Sequence, residues 1–215
     1  MCFDLHSAQS GLLNTESLVH HKTDGYLSNF KIALVRHGRA SAGWDTALDP
    51  AIDELGQRQA ADAAAKLSKI FGDEQVQIIS SPLLRCQQTA EAFTKLRDSQ
   101  VRIVEQVSEI PSPPGVQMKD RVDWLRNVMQ GKWSDLDLNF ITFRDELVKF
   151  VRGIDQNTVI FSHFIAINAV VGSIIQDDRL VIHKLDNCSI TILEGETNGA
   201  LRIAQGGHEA DTLIR

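Results

Sequence analysis

An apolar run leads directly into an arginine and a histidine in the stretch KIALVRHG, residues 31–38. Its first five residues form a short apolar segment that is rich in branched side chains, which is typical of a buried β-strand. Arg36 and His37 therefore follow the end of a predicted strand, and Gly38 lets the backbone turn closely around a bound group. Ligands of open α/β sheets bind just beyond the carboxyl ends of the strands, so this position is a candidate site.

Strand-like and helix-like segments alternate along the rest of the chain. Such alternation is typical of an α/β fold whose sheet is mostly parallel and carries helices on both faces. We therefore predict a three-layer sandwich with a mixed, mostly parallel sheet. The predicted strands are 31–35, 76–80, 101–107, 158–162, 189–194 and 200–205, and the predicted helices are 53–72, 82–97, 118–130, 138–152 and 164–175.

The predicted domain organisation has three parts. Residues 1–30 are polar and irregular and are expected to form an N-terminal extension. Residues 31–215 are expected to form one domain, with a small helical cap inserted at about 110–143. The stretch SEIPSPPG, residues 108–115, holds three of the five prolines and must be a loop. Trp124 and Trp133 are expected to pack inside the cap rather than to stack on a substrate.

Composition excludes several classes of function. The chain has 22 Lys and Arg against 28 Asp and Glu, a net charge of −6, which disfavours general nucleic-acid binding. No apolar run has the length of a membrane span, and no stretch has the form of a secretory signal. The cysteines Cys2, Cys86 and Cys188 are odd in number and widely spaced, so neither a disulfide framework nor a metal site is expected. We expect a cytoplasmic protein without a metal ion or cofactor.

Each predicted parallel strand delivers ionisable side chains to the same edge of the sheet. Arg36 and His37 follow the first strand, Arg85 lies in the first turn after the second, Glu109 follows the third and His163 the fourth. Taken singly, these are more often surface arginines, a buried structural histidine and a loop carboxylate. Their common position at the edge where ligands bind makes them a candidate site.

These side chains suit phosphoryl transfer. Two arginines can hold the oxygens of a phosphoryl group with bidentate hydrogen bonds. A neutral histidine can attack phosphorus, a second and protonated histidine can donate to the transferring group, and a carboxyl can move the proton. Cys86, beside Arg85, is a candidate activated thiol, but on a helix it should point away from Arg85, so we expect it to pack in the core.

Four motifs carry a resemblance to a known family. The segments LVRHG, SSPLLRCQQTA, SEI and IFSHF resemble, in order, the motifs of the histidine phosphatase superfamily, also called the phosphoglycerate mutase-like family. The resemblance implies that His37 is the phosphorylated nucleophile and that Glu109 is the proton donor. It also implies that Arg36, Arg85 and His163 form the phosphate pocket, that no metal ion is needed, and that the mixed sheet has one antiparallel edge strand.

The sequence departs from the family pattern in two places. Phe164 follows the second histidine where many members have glycine, which is expected to narrow the mouth of the pocket and makes Phe164 a candidate substrate contact. Members of the mutase branch carry an asparagine shortly after the R-H-G motif and an E-R-x-Y-G segment, whereas this chain has Gly43-Trp44 and no such segment. The second departure favours a phosphatase over a mutase. Ser41 is a further candidate phosphate contact.

Three functions remain open at this stage. The favoured one is a metal-independent phosphomonoesterase that forms a phosphohistidine on His37 and acts on a small phosphorylated metabolite or a phosphoprotein. The first alternative is a mutase that moves phosphate between positions of a sugar acid. The second is a catalytically inert relative that binds phosphorylated ligands. Neither nucleic acid nor a membrane is an expected partner, and a homodimer is possible.

Overall fold

A computed structural model of the protein describes residues 30–195 and 200–210. The extension predicted for residues 1–30 lies outside the described residues, except that Phe30 already belongs to the first strand. The described strands are β1 (Phe30–Arg36), β2 (Gln77–Ser80), β3 (Arg102–Ile103), β4 (Thr158–Ser162), β5 (Ile190–Gly195) and β6 (Leu201–Gln205). The described α-helices are α1 (Glu54–Phe71), α2 (Leu84–Arg97), α3 (Arg121–Val128), α4 (Leu138–Arg152) and α5 (Phe164–Ile175).

The strands form one mixed sheet in the order β3-β2-β4-β1-β5-β6. Strands β1 to β4 are parallel, β5 is antiparallel to β1, and β6 is antiparallel to β5. Among the described strands, β5 is therefore the one that runs against the others, and it is covered by β6. The family resemblance implied that the antiparallel strand lies at the edge of the sheet. This detail was wrong, because β6 pairs with β5 and forms the edge.

Helices cover both faces of the sheet. Side chains alternate along β1, so that Ile32 and Leu34 face one side while Ala33 and Val35 face the other. The first pair belongs to a buried cluster that includes residues of α3, α4 and α5. The second pair belongs to a cluster built with α1 and α2. This arrangement confirms the predicted three-layer sandwich.

Helix α2 begins at Leu84, two residues later than the prediction from Ser81-Pro82. The side chain that caps it comes from elsewhere: Asp49 Oδ1 accepts a hydrogen bond from the Leu84 N–H at 2.8 Å. Ser81 instead accepts from the Leu83 N–H at 3.3 Å. A carboxylate at a helix N-terminus accepts from a free N–H group and interacts favourably with the helix dipole. Asp49, from a distant loop, therefore caps α2 in place of Ser81.

The third strand is much shorter than the predicted span of 101–107. Only Arg102–Ile103 pairs with β2, and Glu105–Val107 forms a 3₁₀ turn. The turn buries Val107, whose carbonyl accepts a hydrogen bond from Ser162 Oγ at 2.7 Å. This contact holds the chain across the end of β4 and places the next two residues, Ser108 and Glu109, at the edge of the sheet.

The predicted cap region packs through aromatic side chains. Trp133 is 2% exposed and lies 6.4 Å from Phe143 between ring centroids. Trp124 lies 5.3 Å from Phe140 and 6.4 Å from Trp44 of the loop that follows β1. Both tryptophans therefore pack against the protein, as predicted, and Trp124 ties the cap to that loop. Across the part of the chain that the structure describes, no helix has the length and hydropathy needed to cross a membrane.

Candidate active site

The backbone of the Arg36–His37 pair is held from both neighbouring strands. Arg36 is the last residue of β1 and pairs with Ser162 of β4, and the His37 N–H donates to the Ser162 carbonyl at 3.0 Å. On the other side, the Arg36 N–H donates to the carbonyl of Ser189 at 3.2 Å, and the Cys188 N–H donates to the carbonyl of Arg36 at 3.1 Å. The two side chains therefore leave the sheet from a fixed point at its carboxyl edge.

The hydrogen bonding of His37 indicates which of its ring nitrogens carries the proton. Its Nδ1 lies 2.8 Å from the carbonyl oxygen of Gly38. A carbonyl oxygen only accepts hydrogen bonds, so Nδ1 carries the proton and the lone pair lies on Nε2. Burial, together with the positive charges of Arg85 and Arg36, lowers the pKa of His37 well below its usual range. The ring is thus ready to attack an electrophile through Nε2.

Gly38 is required by a close contact between backbones. A Cβ atom on Gly38 would lie 2.7 Å from the carbonyl oxygen of Gly56, near the start of α1. The Gly38 N–H donates to Thr89 Oγ1 of α2 at 2.9 Å. Gly38 therefore lets both helices approach the end of β1, which adds a reason for glycine beyond the close turn around a ligand that we predicted.

The guanidinium of Arg36 is buried and only partly paired. Its Nη1 donates to the carbonyl of Leu185 at 2.6 Å, and its Cζ lies 5.1 Å above the ring centre of Phe164. Burial lowers the pKa of Arg36 to about 10, which keeps the group charged at neutral pH. Phe164 is itself 7% exposed, so in this structure it supports the arginine from below. Its role as a substrate contact stays a prediction.

Arg85 comes from the first turn of α2 and meets His163 at the start of α5. Its Nη2 lies 3.2 Å from Nδ1 of His163, and its Nη1 lies 3.8 Å from Oδ1 of Asp49. The rings of His37 and His163 lie 5.3 Å apart at an interplanar angle of 62°. The structure therefore brings both histidines and Arg85 together, although they come from β1, α2 and the end of β4.

His163 is completely buried, and both of its ring nitrogens contact the protein. Nε2 lies 2.9 Å from Ser81 Oγ and 3.3 Å from Cys86 Sγ. Burial and the charge of Arg85 lower the pKa of His163 well below its usual range. Its surroundings therefore favour the neutral ring, and the protonation of the second histidine that we expect beside a phosphate stays a prediction.

Glu109 lies against the N-terminus of α5. Its Oε1 accepts from the Ile110 N–H at 3.0 Å and the Ala166 N–H at 3.2 Å, and its Oε2 accepts from the Ile165 N–H at 3.3 Å. Burial raises the pKa of Glu109 above its ordinary value and outweighs the lowering by these N–H groups and by Arg85. A carboxyl with a raised pKa and a fixed position is suited to donating a proton.

Within the site, one buried nitrogen of each arginine has no hydrogen-bond partner in the described structure: Nε of Arg36 and Nη1 of Arg85. Buried donors normally find acceptors, so these atoms mark where the oxygens of an anion would bind. Within residues 30–195 and 200–210, no group of three or more His, Cys, Asp or Glu is placed to hold a metal ion. The positive charge of the site comes from the two arginines.

The family assignment rests on the sequence match over most of the chain. The model of the histidine phosphatase superfamily (branch 1) matches residues 32–204. The chain belongs to the histidine phosphatase superfamily. No curated protein matches it in sequence.

Solved structures with the same fold include proteins named as phosphatases. A mycobacterial glucosyl-3-phosphoglycerate phosphatase in complex with inorganic phosphate matches with a TM-score of 0.65 and 18% identity, over 84% of this chain and 98% of that chain. A phosphoserine phosphatase from Entamoeba histolytica in complex with 3-phosphoglyceric acid matches with a TM-score of 0.62 and 18% identity, over 85% and 98%. At this level of identity the matches show that the histidine phosphatase fold is shared.

Ser41 is exposed, unlike the five main candidates of this histidine phosphatase site. Its backbone N–H donates a hydrogen bond to the carbonyl of Ala51 at 2.8 Å. Its role as a phosphate contact stays a prediction.

Several residues around the site were not identified from the sequence. Ser81 follows β2 directly, so the strand-end reasoning that found Arg36 would also have found it. Asp49 and Asn187 lie in loops without a recognisable pattern, and Asn187 Nδ2 donates to the His37 carbonyl at 3.1 Å. Leu185 acts through its carbonyl, which no sequence signal reveals.

Cys86 was predicted to pack in the core, and it does belong to the cluster under α1 and α2. It also reaches the site, because its Sγ contacts His163 and donates to the Ser162 carbonyl at 3.3 Å. Burial raises the pKa of its thiol, so Cys86 is not an activated nucleophile.

Proposed function

We propose that this histidine phosphatase superfamily member is a phosphomonoester hydrolase that works through a covalent phosphohistidine on Nε2 of His37. One observation carries the proposal. His37 has a free Nε2 and feels the charges of two buried arginines, Arg36 and Arg85, and each arginine has a buried nitrogen without a hydrogen bond that can bind an oxygen of a phosphoryl group. Nucleophile and anion site thus meet at one edge of the sheet.

The arginines bind the phosphoryl group and stabilise its charge. Arg36 and Arg85 together supply two positive charges in a buried site, where electrostatic interactions are stronger than in water. The same charges keep the pKa of His37 low, so the nucleophile stays neutral beside the phosphate. The proposal needs no metal ion, because the arginines take the role of a cation in orienting the phosphate.

In the first half of the reaction, the lone pair of His37 Nε2 forms a bond to phosphorus while the bond from phosphorus to the ester oxygen breaks. The carboxylic acid of Glu109 gives its proton to the departing oxygen. The products of this half are the free alcohol and a phosphohistidine, and Glu109 becomes a carboxylate whose charge faces Arg36 and Arg85.

In the second half, a water molecule attacks phosphorus and its proton passes to the Glu109 carboxylate. The bond between phosphorus and Nε2 breaks, inorganic phosphate is released, and His37 and Glu109 return to their starting states. A single carboxyl therefore acts first as acid and then as base, which its fixed position at the start of α5 permits.

Hydrolysis is favoured over the mutase alternative by two observations. The sequence lacks the E-R-x-Y-G segment of the mutase branch, and two solved structures of the same fold carry the names of phosphatases. The five predicted side chains are all present, and His37 and Arg85 both contact His163, which disfavours an inert binding protein. The substrate that we propose is a small phosphorylated metabolite or a phosphoprotein.

Hydrolysis of an aryl phosphate in the presence of a chelator tests this function. We expect the wild type to release inorganic phosphate with EDTA present and the His37→Ala variant to release none above background. Transfer of phosphate to a second alcohol without release of free phosphate would indicate the mutase. Equal rates for wild type and His37→Ala would overturn the proposal.

A further inference from the structure

A chain of three contacts links a buried serine to a phosphate-binding arginine. Ser81 Oγ lies 2.9 Å from Nε2 of His163, and Nδ1 of the same ring lies 3.2 Å from Nη2 of Arg85. Ser81 and His163 are both 0% exposed and Arg85 is 6% exposed. The two ring nitrogens of His163 thus join Ser81 to Arg85 without solvent between them.

The partners of His163 determine which ring nitrogen carries its proton. A guanidinium has donors and no acceptor, so Nδ1 of His163 accepts from Arg85 and has no proton. A neutral ring then carries its proton on Nε2, and Nε2 donates to Ser81 Oγ. The opposite tautomer would place an N–H against a guanidinium N–H, which is repulsive in a buried site.

Cys86 is the second group within reach of Nε2 of His163, at 3.3 Å from Sγ. Its thiol donates to the Ser162 carbonyl at 3.3 Å, which leaves only a sulfur lone pair for the ring. Sulfur is a weak acceptor, whereas a hydroxyl oxygen is a good one. The hydroxyl of Ser81 is therefore the better acceptor for the proton on Nε2, while Arg85, which only donates, sets the tautomer.

We propose that Ser81 is a positioning residue that accepts the Nε2 proton of His163 and so stabilises the tautomer whose Nδ1 holds Arg85 in place for the phosphoryl group. The consequence for catalysis rests on the proposed phosphatase function, whereas the tautomer itself does not. Ser81 acts through His163 and Arg85 and does not touch the substrate.

Removal of the hydroxyl has a defined consequence. In Ser81→Ala, Nε2 of His163 faces only the Cys86 sulfur, so the tautomer protonated on Nδ1 gains population. This tautomer cannot accept from Arg85, and the guanidinium loses the contact that orients it. Loss of a buried hydrogen bond of this kind corresponds to about a 10-fold to 100-fold fall in kcat/KM.

Ser80→Ala is the matched control. Ser80 is the neighbouring serine, is equally buried, and donates to the carbonyl of Ser81 at 2.8 Å without touching the site. Cys86→Ala is a second control, because it removes the sulfur and keeps the Ser81 hydroxyl. Ser81→Cys, which keeps the size of the side chain with a weaker acceptor, covers the case in which Ser81→Ala does not fold.

The experiment is ¹⁵N NMR of the ring nitrogens of His163 in histidine-labelled protein, with the signals assigned from a His163→Gln variant. We expect the wild type, Ser80→Ala and Cys86→Ala to show a protonated Nε2 and an unprotonated Nδ1. We expect Ser81→Ala or Ser81→Cys to shift both signals toward the other tautomer, with a parallel fall in kcat/KM.

Two outcomes would overturn the proposal. One is unchanged His163 signals in folded Ser81→Ala or Ser81→Cys, and the other is a shift in Cys86→Ala as large as in Ser81→Ala. If the variants show the expected NMR shifts but the wild type releases no phosphate, the proposed function is contradicted and the tautomer assignment stands.

Discussion

At the scale of the residue, the site depends on a histidine kept neutral beside two arginines. Adjacent placement of Arg36 and His37 brings a permanent charge to the nucleophile, and Arg85 adds a second. Both charges disfavour protonation of His37, so the arginines that we propose as the phosphate-binding groups also keep the lone pair of Nε2 available. The same two positive charges would therefore bind the phosphate and keep His37 neutral.

Replacement of Arg85 by lysine keeps a positive charge and removes the planar guanidinium. Arg85→Lys is expected to lower kcat/KM for a phosphomonoester by about 10²–10³, because an ammonium cannot reach His163 and hold phosphate oxygens at once. Steady-state release of inorganic phosphate measures the effect. Arg102→Lys, at an exposed position on β3, is the control and should stay within about twofold of wild type. Equal activity of both variants would show that charge alone suffices.

Replacement of Glu109 by glutamine tests the proton donor. Glu109→Gln should lower kcat/KM for an alkyl phosphate by about 10²–10⁴ and have little effect for p-nitrophenyl phosphate, whose leaving oxygen needs no proton. The acid form of Glu109 is the active one, so wild-type kcat/KM for the alkyl ester falls as pH rises through the raised pKa of Glu109.

The variant should lack this alkaline fall. Glu105→Gln, on the exposed turn before the site, is the control and should keep it. An equal loss for both substrates in Glu109→Gln would assign the carboxyl a role other than proton donation to the leaving oxygen.

At the scale of the element, the local sequence pattern predicted the bounds of most helices well. It failed where contacts with distant residues determine those bounds. The bounds of α4, β4 and α5 match the predicted 138–152, 158–162 and 164–175, since each has a clear apolar pattern and a polar break at its ends. The start of α2 was wrong because Asp49, far away in sequence, caps it. The third strand was wrong because burial of Val107 bends the chain into a turn.

The loop that carries Asp49 joins the start of α2 to the phosphate site. Asp49→Ala removes the cap on Leu84, so we expect a loss of about 1 kcal/mol in the free energy of unfolding. It also removes a negative charge from beside Arg85, so we expect a lower KM for a phosphate ester. Urea denaturation and steady-state kinetics measure the two effects. Asp45→Ala, in the same loop, is the control. A destabilised Asp49→Ala with wild-type KM would restrict Asp49 to a helix cap.

At the scale of the whole molecule, buried histidines make the fold sensitive to acid. The folded-state pKa values of His37 and His163 are depressed, so the unfolded chain binds protons near pH 6.5 that the folded chain refuses. Stability is therefore full above pH 6.5 and is lost as the pH falls below it, toward the folded-state pKa values. Each histidine contributes up to about 1.4 kcal/mol per pH unit in this window.

Urea denaturation between pH 7.5 and 5.5 measures the effect. We expect His163→Gln to lose stability less steeply than the wild type on acidification, while Ser80→Ala keeps the wild-type slope. Glu109, whose pKa is raised, has the opposite sign, but it is present in all of these proteins and cancels in the comparison. An unchanged slope in His163→Gln would mean that His163 is protonated in the folded state.

How much of the site the sequence predicts depends on how each residue is held. Arg36, His37, Arg85 and His163 were predicted because strand ends at one sheet edge must come together in a parallel fold. Ser81, Cys86 and Asp49 were not predicted as site residues, because their contacts depend on how α2 and the loop before α1 pack. The neutrality of His163 could not be predicted, since it follows from complete burial beside Arg85.

The central claim is that the reaction proceeds through a phosphoryl group on His37. Rapid mixing with ³²P-labelled p-nitrophenyl phosphate, whose leaving oxygen needs no proton, followed by alkaline quenching and peptide mapping, measures it directly. We predict label on the peptide that contains His37, stable in base and lost in acid, formed in the wild type and accumulating in Glu109→Gln, whose second step lacks a base. Turnover of the substrate without any labelled enzyme at early times, or label that persists in His37→Ala, would contradict the account.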